Sequence, residues 1–359
     1  MRKLSAFLLA AALLLSMTPA ASAEEPPALS AKSAIVMNSG GEVVFAYNAD
    51  ERRLIASTTK LMTAILAIEN NDVDEVVEIE PAWCGIEGSS MYLRAGERYS
   101  VRELLIGLLL ASGNDAAVAL ACHTAGDLES FVALMNEKAR ALGMTASSFF
   151  NPHGLDAPEH ASTAHDMAVL MCYCMENPVF AELTSLQSAA AGEQMIYNHN
   201  KLLSRYSGCI GGKTGYTEAA GRCLVSCAER DGTRFICVTL SDPDDWKDHA
   251  ALYDWAFAHY ANRTVVDGSL SFEIPVLSGK SESVTVVPGA DCTLFLPREE
   301  ELVLIAEMPR FIFAPIQEGQ TAGRILVQRS GETVAELPLI YAVSVERSAV
   351  LAPSQEIKS

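Results

Sequence analysis

Positive charge is scarce in this chain. Against 45 acidic residues stand 26 lysines and arginines, a formal net charge of −19 over 359 residues. So acidic a protein is poorly suited to nucleic acid or anionic lipid. Long apolar runs are missing as well. The N-terminal run from Leu4 to Leu15 falls short of the roughly 20 residues a membrane-spanning helix needs. Arg2 and Lys3 precede it and Ala21-Ser22-Ala23 follows, the pattern of a cleaved secretory leader over residues 1–23. An uncleaved N-terminal anchor is the alternative; a lipoprotein anchor is not indicated, since no cysteine follows the run. The remaining chain is long enough for a sizeable core and more than one domain. Internal repeats and low-complexity tracts are absent.

Disulfide geometry is also lacking, although nine cysteines are present. Cys122, Cys172, Cys174, Cys223, Cys227 and Cys237 sit inside apolar runs, where a thiol behaves as a small hydrophobe. Cys223 and Cys227 share one strand-like run and lie roughly 13 Å apart at strand rise, too far to bridge. Mostly free, buried thiols are expected. His153, His160 and His165 lack helical two-histidine spacing and fall in a loop with Pro152, Gly154 and Pro158. A structural or surface role is favoured there over a zinc site.

The periodicity changes along the chain. Ala34 to Phe45 reads as a hairpin around Ser39-Gly40-Gly41, and a helix begins at Ser57 with Leu61, Met62, Ile65, Leu66 and Ile68 on its apolar face. Arg102 to Ala111 is apolar on nearly all sides and reads as a buried helix. Further helical patterns cover 116–125, 128–142 and 164–175. Strands at 223–228 and 234–240 flank Asp231-Gly232, a strong hairpin signal, and a last helix covers 246–260. Helices grouped between terminal strands predict an α/β (α+β) domain over 24–262, its antiparallel sheet packed with a helical cluster. Short strand-like runs split by glycine and proline then predict a small all-β sandwich domain over 263–345, with a polar tail over 346–359.

Three short patterns carry candidate chemistry, each with an ordinary alternative. Ser57 and Lys60 lie three residues apart on one helical face, so the amine can reach the hydroxyl. Serine needs such a base, and a lysine serves only if burial or a nearby cation lowers its pKa. The alternative is a capping serine and a solvated lysine. Ser112-Gly113-Asn114 occupies an inter-helix turn and reads equally as a cap. Gly211-Gly212-Lys213-Thr214-Gly215 precedes the hairpin strands, where glycine permits close approach of a ligand backbone. Its alternative is a bulged edge strand, and the full phosphate-loop spacing fails.

Taken in order, Ser-x-x-Lys at a helix start, Ser-x-Asn in a turn and Lys-Thr-Gly on a strand form the set found in penicillin-binding proteins and class A β-lactamases. The chain resembles the low-molecular-mass penicillin-binding proteins of the serine D-alanyl-D-alanine carboxypeptidase type. The likeness also runs through GSSMYLRAGE (Gly88–Glu97), RELLIGLLLASGNDAAVALA (Arg102–Ala121), FFNPHGLD (Phe149–Asp156), NHNKLL (Asn198–Leu203), GGKTGYTEAAGRCLVS (Gly211–Ser226) and PIQEGQTAGRILV (Pro315–Val327). It covers about residues 30–345.

The resemblance implies a β-lactamase/transpeptidase-like fold and an acyl-enzyme mechanism without a cofactor. Ser57 is the implied nucleophile on peptidoglycan stem pentapeptides, Lys60 its base and Ser112 a proton relay to the departing D-Ala. Asn114 would position the substrate amide, while Lys213 and Thr214 hold the terminal carboxylate. Gly215 lets the peptide lie strand-like, and the N–H groups of Ser57 and Tyr216 receive the oxyanion. β-Lactams would acylate the same serine. Two departures stand out. The last residues, ERSAVLAPSQEIKS, lack the apolar face of the family's membrane-binding helix, which argues against membrane attachment. Gly212 replaces a bulkier residue, which predicts a looser strand. A D,D-endopeptidase and a β-lactamase share these residues, though no Glu-x-x-Leu-Asn run favours the latter. A non-catalytic peptidoglycan-binding protein has no need of the nucleophile.

Overall fold

The computed structural model describes residues 25–348 and the backbone of Leu8–Leu13. Contacts divide the chain into two units, Glu24–Ala258 and His259–Ser359, the second taking in Met1–Ala23.

The first unit is built on a five-stranded antiparallel sheet in the order Val43–Tyr47, Ser33–Asn38, Thr233–Leu240, Gly221–Arg230, Cys209–Thr217. Both ends of the unit thus close one sheet, as the sequence predicts. Asp231 and Gly232 join the two long central strands, both with positive φ, as a tight two-residue hairpin requires. The strands read as continuous apolar runs because both faces are covered. Cys223, Val225 and Cys227 face the helical core, while Ser226 meets His249 and Tyr253 of the helix Asp245–His259.

The helical cluster supplies most of the core. Lys60–Asn70, Val101–Leu109, Asn114–Ala125 and Ala164–Met175 bury nearly every apolar side chain they carry. Val101–Leu109 opens on a capping box: Ser100 accepts from the Glu103 N–H while Glu103 accepts from the Ser100 N–H. A helix at Pro178–Ser185 and a hairpin of Ser188–Ala191 with Gln194–Tyr197 were not anticipated. All nine cysteines are free.

The second unit holds Tyr260–Val266 paired with Cys292–Pro297, and a larger sheet from Phe272–Leu277 to Glu332–Tyr341. Val276, Val286, Ile325, Val327 and Leu339 lie in its separate core. Its first strand runs through Asn262, where the domain boundary was expected. Leu8–Leu13 pairs antiparallel with Leu304–Pro309. The rest of the expected leader, with its Ala21-Ser22-Ala23 site, and the tail beyond Ser348 lie outside the described residues.

Candidate active site

The backbone before Lys60 departs from the simple helix start that was expected. Ala56–Thr59 forms one 3-10 turn, and the α-helix begins at Lys60. Ser57 makes no capping bond there. Thr58 Oγ1 donates to Ile55 O (2.6 Å) and Thr59 Oγ1 to Ala56 O (2.8 Å), and these bonds close the turn. Ala56 has a φ of 46°, a conformation that a residue with a Cβ rarely adopts. It is held from outside by the loop at 149–160. Gly154 packs so tightly that a Cβ there would lie 2.0 Å from Ala56 O. His160 Nδ1 accepts from the Phe150 N–H (3.1 Å), so Nε2 carries the proton that goes to Thr59 Oγ1 (2.8 Å). Burial pushes His160 down to about 4, which keeps it neutral.

Lys60 is fully buried. Its Nζ lies 2.9 Å from Ser57 Oγ, 2.7 Å from Asn114 Oδ1 and 2.6 Å from His153 O. Burial first, and the neighbouring Lys213 second, drive its pKa well below the ordinary lysine value, against an opposing pull from Asp115. The neutral amine has two hydrogens and one lone pair. Asn114 Oδ1 and His153 O can only accept, so they take both hydrogens. The lone pair is left for the Ser57 hydroxyl.

Asn114 is fixed by its other end, since its Nδ2 donates to Glu87 O. Lys213 is equally buried, with Nζ donating to Ser112 Oγ (2.9 Å) and Thr214 O (2.9 Å). Burial lowers its pKa to about 7. Gly215 lies directly against the Ser57 turn: a Cβ there would stand 3.0 Å from Ser57 N and 3.1 Å from Thr58 N. Gly212 does not loosen its strand. Its φ is 148°, a Cβ would meet Val225 O at 2.4 Å, and Thr184 Oγ1 bonds both its N–H (3.0 Å) and its C=O (3.2 Å). Glycine is what this bulge requires, and the strand is clamped.

Ser57, Ser112, Thr214, Gly215 and Tyr216 open onto one cleft of about 310 Å³. Lys60, Asn114 and Lys213 stand behind that wall, with their polar ends already engaged. Neither Asn114 nor Lys213, which the resemblance assigns to the substrate, is among the cleft-lining residues. Two cationic residues line the cleft, Lys201 and Arg222, the latter paired across the hairpin with Tyr216. Arg222 Nη2 donates to both carboxylate oxygens of Asp245 (2.7 and 2.8 Å), and the guanidinium lies 5.4 Å from the Trp246 ring centroid. His199, from the NHNKLL stretch like Lys201, also lines the cleft. Sequence reasoning did not single out Arg222 or Trp246, although the two-residue alternation of the hairpin places Arg222 beside the Lys-Thr-Gly strand.

Comparison with known proteins agrees across both units. Residues 20–244 match the D-alanyl-D-alanine carboxypeptidase family, and residues 261–347 match the C-terminal domain of penicillin-binding protein 5. The carboxypeptidase DacF of Bacillus subtilis is 32% identical over 86% of this chain and 84% of its own length. DacB2 of Mycobacterium tuberculosis is 43% identical over 56% of this chain and 74% of its own. Among solved structures, the carboxypeptidase DacD of Francisella tularensis superposes with a TM-score of 0.68 at 28% identity, covering 92% of this chain and 98% of that one. With matches of this extent through both units, the chain belongs to the D-alanyl-D-alanine carboxypeptidase family.

Proposed function

We propose that Ser57 is the nucleophile of a serine carboxypeptidase that removes the terminal D-Ala from peptidoglycan stem pentapeptides. The observation that carries this reading is the buried Lys60 Nζ 2.9 Å from Ser57 Oγ, with acceptor-only partners at its other two contacts. Ser57 attacks the carbonyl of the penultimate D-Ala and gives its proton to Lys60 Nζ. The N–H groups of Ser57 and Tyr216 receive the oxyanion, on a turn that Gly215 approaches without obstruction. Ser112, bonded to Lys213, relays that proton from Lys60 to the nitrogen of the departing D-Ala as the peptide bond breaks, which leaves Lys60 neutral again. Water then attacks the ester and gives a proton to Lys60, which returns it to Ser57 Oγ as the acyl C–O bond breaks, freeing the carboxylate product.

The positions of the buried groups refine two roles. Asn114 orients Lys60 through Oδ1, and Lys213 orients Ser112 while its charge disfavours a second charge on Lys60. The terminal carboxylate then meets Thr214 Oγ1 and the Arg222 guanidinium, both at the cleft. β-Lactams acylate Ser57 by the same attack. The leader-like pattern at residues 1–23 supports export to the compartment where peptidoglycan lies. Residues 24–262 are read as the catalytic domain and 263–345 as an accessory β domain.

A fluorescent penicillin and a pentapeptide test this together. The wild type takes the label and releases D-Ala, whereas Ser57→Ala does neither. Lys60→Ala slows acylation by about 10²–10⁴-fold, the usual weight of a general base. A Ser57→Ala protein that still labels refutes the assignment. Labelling without D-Ala release marks an endopeptidase, and rapid penicillin turnover a β-lactamase.

A further inference from the structure

A second cavity of about 750 Å³ lies in the same unit, its lining including Tyr92, Arg94, Glu97, Arg98, Tyr99, Glu193 and Gln194. None of these residues enters the mechanism above. Two segments run from it to the catalytic cleft. Ser89 lines the cleft and Tyr92 the cavity, three residues on, a step of at most about 10 Å of chain. Gln194 lines the cavity and His199 the cleft, and Gln194 Nε2 donates to Met91 O (3.3 Å), tying the two segments together.

Tyr92 is the unusual residue. It is 75% exposed and has a φ of 64°, so an aromatic side chain is held in solvent on a strained backbone. Its neighbours over-determine that conformation. The N–H groups of Met91 and Leu93 both donate to the buried Asp115 carboxylate (3.0 Å each), and the Tyr92 N–H donates to Ser90 Oγ (2.8 Å). Ser90 Oγ itself donates to Asp115 (2.5 Å). The ring is therefore presented on a rigid loop, and Asp115 is the residue after Asn114, the partner of Lys60.

The structure assigns this cavity to the glycan strand of the polymer: Tyr92 offers a flat apolar face to a pyranose ring, and the surrounding arginines, carboxylates and tyrosine meet its hydroxyl and acetamido groups. Sugars present one apolar face and a rim of mixed donors and acceptors, and this lining offers both. The guanidinium groups of Arg94 and Arg98 donate, and the carboxylates of Glu97 and Glu193 accept. The inference deepens the carboxypeptidase reading, and rests on it for the link between sugar and peptide.

Two measurements separate the two. First, a peptide-free β-1,4-linked tetramer of N-acetylglucosamine is titrated into the full chain, with Tyr92→Asn and Tyr92→Phe as variants. Asparagine tolerates the left-handed backbone but lacks the ring; phenylalanine keeps the ring. The wild type and Tyr92→Phe bind, and Tyr92→Asn binds on the order of tenfold more weakly, the weight of one stacked ring. Absence of binding, or equal binding by Tyr92→Asn, overturns the assignment whatever the enzymatic activity. Second, kcat/KM for D-Ala release is compared between a free pentapeptide and the same peptide on its disaccharide. The wild type favours the disaccharide form, and Tyr92→Asn loses that preference with the free peptide unchanged. A preference kept in Tyr92→Asn, an equal loss on both substrates, or a gain only with a sugar-free cross-linked peptide refutes it. Failure to release D-Ala from either substrate, with tetramer binding intact, sinks the carboxypeptidase reading and leaves the sugar site standing.

Discussion

At the scale of single residues, the proposed active site turns on a pair of buried lysines that differ in what they face. Lys60 has two acceptor-only partners and one hydroxyl, an arrangement that suits a neutral amine. Lys213 faces a hydroxyl and a carbonyl and has its pKa lowered to about 7 by burial. A lysine depressed on folding binds fewer protons in the folded state than in the unfolded one. Stability therefore rises with pH from about 7 to the ordinary lysine value near 10.5, and below about 7 the full penalty applies. Lys213→Met removes this dependence and adds an offset, because Ser112 Oγ and Thr214 O lose their partner. The expected result is that wild-type stability gains on Lys213→Met by a few kcal/mol between pH 7 and pH 10, read by denaturant unfolding. Parallel curves across that range would show that Lys213 is not buried as a depressed base.

At the scale of elements, what the sequence discloses depends on how local the cause is. The Asp231-Gly232 hairpin was legible because two adjacent residues determine it. So were the helices 128–141 and 164–175, each opened by a side-chain cap from Asp127 or Thr163. The hairpin at 188–197 was hidden, since Ser-Ala-Ala-Ala has little strand propensity and is held by pairing alone. The turn at Ser57 was hidden for another reason: its shape depends on Gly154 and His160, about a hundred residues away. The motif residues could be named from order and spacing. That Asn114 and Lys213 stand behind the cleft wall could not, because the direction of a buried polar group is set by partners across the fold. The Lys-Thr-Gly strand shows this dependence best. Gly212 turns its N–H and C=O onto Thr184 Oγ1, from the helix Pro178–Ser185. Thr184→Val keeps the shape and leaves that buried N–H unpaired, a loss of about 1–3 kcal/mol in unfolding free energy. Because the same strand carries Thr214 and Gly215, penicillin acylation should fall in parallel. Thr184→Ser, which restores the hydroxyl, recovers most of both. Full acylation in a destabilised Thr184→Val protein would mean that the clamp serves the fold but not the site.

At the scale of the whole molecule, the two units have separate cores. The first buried cluster runs from Ile35 to Leu240 and the second from Val266 to Val345, with no residue in common. Each sheet is also closed within its own unit, since both terminal strands of the five-stranded sheet come from residues before Ala258. Every group placed in the chemistry lies between Ser57 and Asp245, and so does the cavity assigned to the glycan. A unit of this size buries enough apolar surface to fold by itself. A chain running from Glu24 to Ala258 should therefore unfold in one cooperative transition and acylate with fluorescent penicillin within about twofold of the full-length rate. Its kcat/KM on a free pentapeptide should match as well, because the β unit supplies no side chain to the reaction proposed here. If the shortened chain folds, as judged by its unfolding transition, yet acylates ten times more slowly, the second unit contributes to the site after all. The division between an enzyme unit and a separate β unit would then have to be withdrawn.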